Sequence, residues 1–264
     1  MPFSLDAATE LTPVDANTFR VPVDETWWNF QSAFGGWAAA LASQAVRDHA
    51  DCRGELASLN AIFPAALGAG MLTVKVERLI SRARTDFWRV TFFHDDKPES
   101  LAFSADIVMT KRRTTDLKFE QEMPNCPAPE DVPSMPPEQG PVWMKQLDQR
   151  MFKGKPFSKN LQPLTRTWLK FADDRPYDTK AVIALVDSPM PRVFFVTDQP
   201  RFGSTVSFSV HILASEQQIA SKTGHLLLEA NSAAIFDGSY DQRARLWSQD
   251  GALLAVSNQL AFFR

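Results

Sequence analysis

The amino-acid sequence predicts an α+β protein built from two similar halves. A proline-rich segment at 124–141 holds seven of the 18 prolines and divides the chain. The residues before it run from a helix pattern into strand patterns, and the same order returns after it. Because proline fixes φ and removes a backbone donor, neither a helix nor a central strand is expected within the segment.

The first half begins with a predicted helix at 34–50, whose sequence FGGWAAALASQAVRDHA is rich in alanine and starts at a glycine pair. It stays apolar almost all round until Arg47, which is typical of a helix buried on most of its faces. Strand patterns follow at 56–64, 71–80, 85–93 and 101–109, with a turn at 95–98. The first half is therefore predicted to be a buried helix followed by an antiparallel meander.

The second half repeats this order. Asp178 is the predicted N-cap of a short helix through 181–186, which ends at the proline-containing turn 188–191. If Asp96 is matched to Asp250, and Ile62 to His211, the offset is roughly 150 residues in both cases, which indicates an internal duplication. Strand patterns follow this helix at 205–214, 224–230, 242–247 and 253–263.

The predicted boundaries are 1–120 for the first half, 121–157 for the proline-rich connector and 158–264 for the second half. Each antiparallel sheet is expected to wrap its own central helix, which is the hotdog arrangement, here in tandem as a double hotdog. The same pattern also fits two ordinary α+β sandwich domains that pack loosely against each other.

Composition excludes several classes of protein. The formal net charge is −3 and the longest basic run is the triplet at 111–113, so no nucleic-acid partner is expected. The N-terminus does not resemble a signal peptide and no apolar run has the length of a membrane span, so a cytoplasmic location is expected. Cys52 and Cys126 are far apart and lack partners at zinc-like spacing, so neither a disulfide scaffold nor a metal site is predicted.

The common catalytic signatures do not occur in the sequence. It lacks the G-x-S-x-G nucleophile elbow, the phosphate-binding G-x-x-x-x-G-K-[ST] loop and the H-E-x-x-H pair. The histidines fall on different predicted elements and share no local motif, so no catalytic triad is inferred from them. They are His49, His94, His211 and His225.

Asp187 is the first candidate for chemistry, because it directly follows the six apolar residues 181–186. A carboxylate there would be partly desolvated, and desolvation raises the pKa of a carboxyl group that can orient or deprotonate water. The alternative is that Asp187 only bonds backbone donors in the turn that follows.

Two strand residues are weaker candidates. Alternation places Gln259 on an apolar face of the last strand, where its amide could hold a water or a carbonyl oxygen, or satisfy a neighbouring strand. Thr205 falls with Ser207, Ser209 and His211 on the polar face of its strand, opposite the presumed core. That face is either solvated or lines a cleft formed with the other half.

Four motifs carry a resemblance to a known family. They are FGGWAAALASQA near the N-terminus, ALVDSPMP in mid-chain, TVSFSVHI after it and RLWSQDGALLAVSNQLAFF at the end. Their order and spacing, over nearly the whole chain, are similar to those of bacterial acyl-CoA thioesterase II and its relatives. The resemblance implies a double hotdog fold, acyl-CoA as the small-molecule partner, and hydrolysis to a free fatty acid and CoA.

In that family an Asp from the second-half helix, a Thr or Ser from the next strand and a Gln from the last strand position the hydrolytic water. By resemblance these roles fall on Asp187, Thr205 and Gln259, with Asp187 as the general base. A slide of the strand by one residue would substitute Ser204 for Thr205. The sequence departs from the family at Ser207, where an acidic residue is frequent, and at His211, where an aromatic residue is frequent.

The resemblance has further implications for the site. The amides near Gly35 and Gly36, at the start of the first helix, could face the thioester carbonyl, or the glycines could serve only tight packing. If 40–43 superposes on 184–187, Ser43 replaces Asp187 and Leu56 replaces Thr205, which predicts one active site per chain, between the halves. No metal or redox cofactor is needed, because a thioester is already activated.

The predicted fold also leads to expectations about a partner chain and about alternative functions. Hotdog sheets expose surfaces that usually pair with another copy, so a homo-oligomer, specifically a dimer, is expected. The alternative functions are a non-catalytic acyl-CoA binding protein, or a hotdog hydratase or dehydratase of acyl thioesters. The hydratase chemistry needs an Asp and His pair, and no histidine lies near Asp187 in the sequence.

Overall fold

A computed structural model describes residues 2–159 and 161–264, so Met1 and Asn160 lie outside the description. The described residues form four α-helices, which are α1 (Ser4–Ala8), α2 (Gly35–Asp48), α3 (Thr179–Val186) and α4 (Glu216–Ala220). Short 3-10 turns occur at Glu25–Trp27, Pro129–Asp131, Pro137–Gln139, Val142–Gln146 and Arg192–Phe195.

The strands of the described residues form one antiparallel sheet. Those of the first half are β1 (Thr12–Asp15), β2 (Thr18–Pro22), β3 (Glu55–Ile62), β4 (Met71–Ser81), β5 (Thr85–His94) and β6 (Leu101–Thr110). Those of the second half are β7 (Leu147–Lys153), β8 (Thr165–Phe171), β9 (Gly203–Ile212), β10 (Leu226–Asn231), β11 (Ile235–Phe236), β12 (Ser239–Trp247) and β13 (Leu253–Phe263). The order across the sheet is β1-β2-β4-β5-β6-β3-β9-β13-β12-β10-β8-β7, and the short β11 pairs with β12.

The two halves have the same strand topology. The first half runs β2-β4-β5-β6-β3 across its sheet, and the second runs β8-β10-β12-β13-β9 in the matching order. The halves join where β3 pairs with β9, and Asn60 lies opposite Ser209 at the centre of that pairing. A two-fold rotation about this centre exchanges the two halves and places Ile62 on His211. This is the match that the sequence predicts. The double hotdog prediction is confirmed, and loosely packed sandwich domains are wrong because the two sheets are continuous.

The two central helices share one core. Nearly every residue of α2 from Gly36 to Val46 is buried, as its alanine-rich sequence predicts, and α3 is buried from Ala181 to Val186. The start of α2 lies very close to α3, since a Cβ on Gly36 would lie 2.8 Å from the carbonyl oxygen of Ala184. Small residues at this crossing let the two helices meet between the sheets.

The predicted connector contains more structure than its prolines indicate. Residues 147–153, within the predicted range 121–157, form the edge strand β7, which pairs with β8. The proline-rich stretch ends at Pro141, and the alternation that buries Leu147 and Gln149 follows it. The sequence-based prediction also omits α1, α4 and the strands β1, β2, β8 and β11, which are short or lie towards the edges of the sheet.

Candidate active site

Asp187 is carried into the interior by the end of α3. The helix starts at the N-cap Asp178, whose carboxylate accepts a hydrogen bond from the Ala181 amide at 2.7 Å, as predicted. It ends at Val186, so Asp187 is its C-cap residue. The whole last turn of the helix is buried, and the helix therefore delivers a carboxyl group to the inner face of the sheet.

The start of α2 meets that carboxyl group. The backbone N–H of Gly36 donates a hydrogen bond to Asp187, and a Cβ on Gly35 would lie 3.0 Å from Asp187 Oδ2. Any side chain at Gly35 would therefore press on the carboxyl group. A carboxylate is favourable at this position, because the unpaired amides and the dipole of a helix N-terminus stabilise negative charge.

Gln259 and Thr205 complete a connected set of side chains. Gln259 Nε2 donates to Asp187 Oδ1 at 2.5 Å, and Thr205 Oγ1 donates to Gln259 Oε1 at 3.4 Å. Gln259 is 6% exposed, and Thr205 is partly buried. The structure thus brings together all three residues of the predicted set, together with Gly35 and Gly36 from the other half.

A β-bulge turns Thr205 towards this set. Thr205 lies opposite Ala261 and Ser207 lies opposite Leu260, so Val206 is an extra residue in β9. Residues directly opposite each other in an antiparallel pair point to the same face, so Thr205 faces inwards with Ala261. The simple alternation that placed Thr205 with Ser207 on the outer face is therefore wrong, because it does not allow for the bulge.

The side chains of Ser204, Ser207 and His211 point to the outer face of the sheet, away from Asp187. Ser204 is exposed and pairs with the exposed Phe262, so its side chain belongs to the outer face. Ser207 and His211, where the sequence departs from the family pattern, also lie on that face. These departures therefore change the outer surface of the sheet and leave the surroundings of Asp187 unchanged.

Burial changes the acidity of Asp187. Asp187 is partly buried, and desolvation of its carboxyl group raises the pKa of Asp187 to about 8, although the hydrogen bonds from Gly36 and Gln259 act in the opposite direction. The neutral acid therefore predominates at pH 7. A carboxyl group with a pKa this close to neutrality can accept a proton during a reaction and release it afterwards.

The equivalent position in the first half lacks these groups. Topology places Leu56 at the position of Thr205, beside a bulge equivalent to that at Val206, and Ile107 at the position of Gln259. The sequence-based match of 40–43 to 184–187 assigns Ser43 to the position of Asp187, and the Ser43 hydroxyl donates to the Ala40 carbonyl oxygen at 2.7 Å. The first half therefore presents one serine and two apolar side chains where the second half presents a carboxyl–amide–hydroxyl set.

A large groove lies on the opposite face of the sheet. It has a volume of about 930 Å³ and spans strands from both halves. Its wall includes Ile62, Phe93, Ser207 and Leu260. Gln259 also borders the groove, but its side chain amide donates to Asp187, between the outward-facing Asn258 and Leu260. The Asp187 carboxyl group therefore lies on the face of these strands opposite the groove.

The histidines lie at other places in the structure. His49 contacts Asn17, His211 contacts Ser58, and His225 contacts Asp148 at 2.9 Å. Within residues 2–159 and 161–264, no group of three or more His, Cys, Asp or Glu residues is arranged to hold a metal ion. In the same part of the chain, no helix is long and apolar enough to cross a membrane.

Three polar residues beside the set were not predicted from the sequence. Tyr240 and Gln242 point inwards from β12, and Gln242 lies directly opposite Gln259. Arg192, in the 3-10 turn after α3, is fully buried and donates to Gln242 Oε1 at 3.0 Å. The alternation of β12 could have identified the first two residues, whereas the burial of Arg192 depends on a loop whose path the local sequence does not determine.

Comparison with solved structures identifies similar folds across the full chain. A conserved hotdog-fold protein of unknown function from Alicyclobacillus acidocaldarius is 29% identical, with a TM-score of 0.95, and the match covers 100% of this chain and 99% of the other. A putative thioesterase II from Thermobifida fusca is 18% identical over 99% and 98% of the two chains, with a TM-score of 0.86. The acyl-CoA thioesterase II TesB2 from Mycobacterium marinum is 18% identical over 99% and 98%, with a TM-score of 0.79.

Family models match both halves of the chain. Residues 24–110 match the acyl-CoA thioesterase N-terminal domain, and residues 126–263 match the acyl-CoA thioesterase C-terminal domain. No curated protein sequence matches the chain. The two matches together cover well over half of its length, in the order that the sequence resemblance predicts. The chain therefore belongs to the acyl-CoA thioesterase family whose models describe these two domains, and it has a double hotdog fold.

Proposed function

We propose that this protein hydrolyses acyl-CoA to a free fatty acid and CoA, with water activated by Asp187, Thr205 and Gln259. The observation that carries the proposal is the hydrogen-bonded set in which Gln259 joins Asp187 and Thr205, at the point where α2 and α3 meet. Family membership supports the substrate class. The set supplies an acceptor for the proton of water and two polar groups to hold it.

The reaction requires two bond changes at one carbon. Ionised Asp187 removes a proton from the bound water while the water oxygen attacks the thioester carbonyl carbon. The C–S bond then breaks, and the proton held by Asp187 passes to the departing CoA sulfur. Gln259 and Thr205 orient the water, so that the entropy of bringing it to the carbonyl is lost before the reaction begins.

The first turn of α2 is the proposed site for the negative charge that develops on the thioester oxygen. The amide of Gly36 already donates to Asp187, so the amides beside it in the same turn, including that of Gly35, are the proposed donors to the substrate. Preorganised N–H donors in an enclosed site stabilise an oxyanion strongly. The close contact between Gly35 and Asp187 supports a second role for this glycine, which is to let the carboxyl group approach.

Release of free thiol from acyl-CoA esters of short, medium and long chain tests the proposal. Asp187→Asn and Gln259→Leu are expected to lose most turnover while remaining folded. Ser43→Ala, at the equivalent position of the first half, is the matched control and should turn over like the wild type. A wild type that binds acyl-CoA tightly and releases no thiol across the panel would instead indicate a binding protein.

The same set distinguishes hydrolysis from hydration of an acyl thioester. Hydration needs an Asp and His pair, and the partners of Asp187 here are an amide side chain and a backbone N–H.

A single turnover in H₂¹⁸O, with enzyme in excess, separates direct attack by water on the thioester from a covalent route through Asp187. Direct attack by water places ¹⁸O in the first fatty acid formed. A mixed anhydride with Asp187 that water opens at the aspartyl carbonyl would instead give an unlabelled fatty acid and leave ¹⁸O in the Asp187 carboxyl group.

We further propose that the protein forms a homodimer through the outer face of the sheet. Ile62, Leu260 and Phe262 are 49%, 40% and 54% exposed there, and the first two line the groove that spans both halves. An exposed apolar patch with a polar rim is typical of an association surface. Sedimentation should show a dimer for the wild type and a monomer for Ile62→Asp with Leu260→Asp.

We also propose a cytoplasmic location, on the basis of the two cysteines. Cys52 and Cys126 are free thiols in the structure, which suits a reducing compartment. Fractionation of the native host, with detection by antibody, would place the protein in the soluble cytoplasmic fraction under this proposal. Recovery in another fraction would contradict it.

A further inference from the structure

Arg192 is a buried cation with an unusual set of partners. Its side chain is 0% exposed, and no Asp or Glu of residues 2–159 and 161–264 forms an ion pair with it. Within the described residues, its guanidinium donates its hydrogen bonds to neutral oxygens instead. Burying a charge without an opposite charge is costly, and here burial lowers the pKa of Arg192 to about 9.

The hydrogen bonds of Arg192 join several elements around α3. Its Nη1 donates to Thr165 Oγ1 at 2.9 Å, to the Pro163 carbonyl oxygen at 2.9 Å and to the Ala230 carbonyl oxygen at 3.2 Å. Its guanidinium also lies over the ring of Phe195, 4.7 Å from the ring centroid. Arg192 therefore ties the turn after α3 to β8 and to β10.

Two further contacts of Arg192 lead to the Asp187 set. Nη2 and Nε donate to the Met190 carbonyl oxygen at 2.5 and 3.1 Å, which closes the turn that starts at Asp187. Nε also donates to Gln242 Oε1 at 3.0 Å, and Gln242 lies directly opposite Gln259 in the β12–β13 pair. Opposite side chains in an antiparallel pair are in contact distance, so the amide of Gln242 borders that of Gln259.

We propose that Arg192 is a positioning residue, which holds Asp187 through the turn at Met190 and holds Gln259 in place through Gln242. This inference rests on the proposed function of Asp187 and Gln259. Without Arg192 the amide of Gln242 is free to rotate, and it then competes for the acceptor and donor atoms that Gln259 uses. The turn after α3 also loses the contacts that fix it to the sheet.

Arg192→Met tests the proposal because methionine is unbranched, apolar and able to fill the space. We expect kcat to fall about 10- to 100-fold while KM changes less than about twofold, since the geometry of the reacting groups is lost and not the binding of the substrate. The pH midpoint of kcat/KM should move upwards, because the ionised form of Asp187 needs the N–H of Gln259. Arg192→Lys should restore part of kcat.

Arg175 provides a matched control. It is 6% exposed, lies in the same half, and pairs with Asp6 and with Asp178 at the other end of α3. Arg175→Met should lower the Tm and leave kcat and the pH midpoint of the folded enzyme unchanged. Gln242→Leu removes only the amide beside Gln259, and it decides the question if Arg192→Met does not fold.

The outcomes separate this inference from the proposed function. If Asp187→Asn abolishes turnover but Arg192→Met and Gln242→Leu keep the wild-type kcat and pH midpoint, the positioning role is wrong and Arg192 is only structural. If Asp187→Asn keeps the wild-type kcat, the proposed function fails, and the positioning role fails with it. A drop in kcat with a shifted midpoint in both variants, and not in Arg175→Met, supports the proposal.

Discussion

The change Asp187→Asn should remove catalysis and stabilise the fold at the same time. Burial holds the pKa of Asp187 at about 8, compared with 3.8 for an ordinary aspartic acid. Between these two pH values the native state keeps the proton and the unfolded state loses it. The contribution of protonated Asp187 to the free energy of unfolding is therefore fully present below pH 3.8, and it is lost as the pH rises towards 8.

The magnitude follows from the size of the pKa shift. At about 1.4 kcal/mol per pH unit, the interval from 3.8 to pH 7 corresponds to about 4 kcal/mol of lost stability. Asparagine carries no charge and keeps an oxygen that can accept from Gln259 and Gly36, but its NH₂ group needs a partner of its own. We therefore expect a net gain of about 1 to 3 kcal/mol at pH 7.

Urea unfolding of wild type and Asp187→Asn between pH 5 and pH 8 measures this effect. The stability advantage of the variant should grow by about 2 to 4 kcal/mol over that range, because only the wild type has a carboxyl group that ionises in the unfolded state and must regain its proton on folding. An advantage that stays constant with pH, or a variant that is less stable at pH 8, would refute the reasoning that burial destabilises the carboxylate.

Three further predictions concern the same set of residues. The kcat/KM of the wild type should rise with pH through an apparent pKa near 8, since the free enzyme must ionise Asp187; a profile that is flat from pH 6 to 9 would contradict this. Gly35→Ala should lower kcat about tenfold or more in a steady-state assay, because its Cβ would lie 3.0 Å from Asp187 Oδ2; unchanged kcat would mean that the helices separate freely. Thr205→Val should lower kcat by about 3- to 10-fold, less than Gln259→Leu does, because the 3.4 Å hydrogen bond of Thr205 reaches Asp187 only through Gln259.

Much of the fold could be predicted from the sequence, because the informative segments are long and strongly patterned. The alanine-rich run at 34–50 and the apolar run at 181–186 predict α2 and α3, and both match the structure within a few residues. The edge strands are harder to predict. The edge strand β7 follows a proline-rich stretch whose composition hides it, and its pairing with β8 is decided by the sheet and not by local propensity.

The candidate site shows where local patterns stop being informative. Asp187 could be identified because the apolar run ends at it, whereas Thr205 faces inwards only because of the bulge at Val206, which alternation cannot predict. The burial of Arg192 gives no signal in the sequence, since an arginine directly after a proline-containing turn is normally exposed. Its position depends on contacts with strands that are distant in sequence.

Thiol release by Asp187→Asn, compared with wild type and Ser43→Ala on the same acyl-CoA, tests the central claim most directly. The account predicts that Asp187→Asn is folded, is at least as stable as the wild type at pH 7 and has lost most turnover, while Ser43→Ala has kept it. Wild-type turnover by a folded Asp187→Asn would contradict the claim that this carboxyl group activates the water.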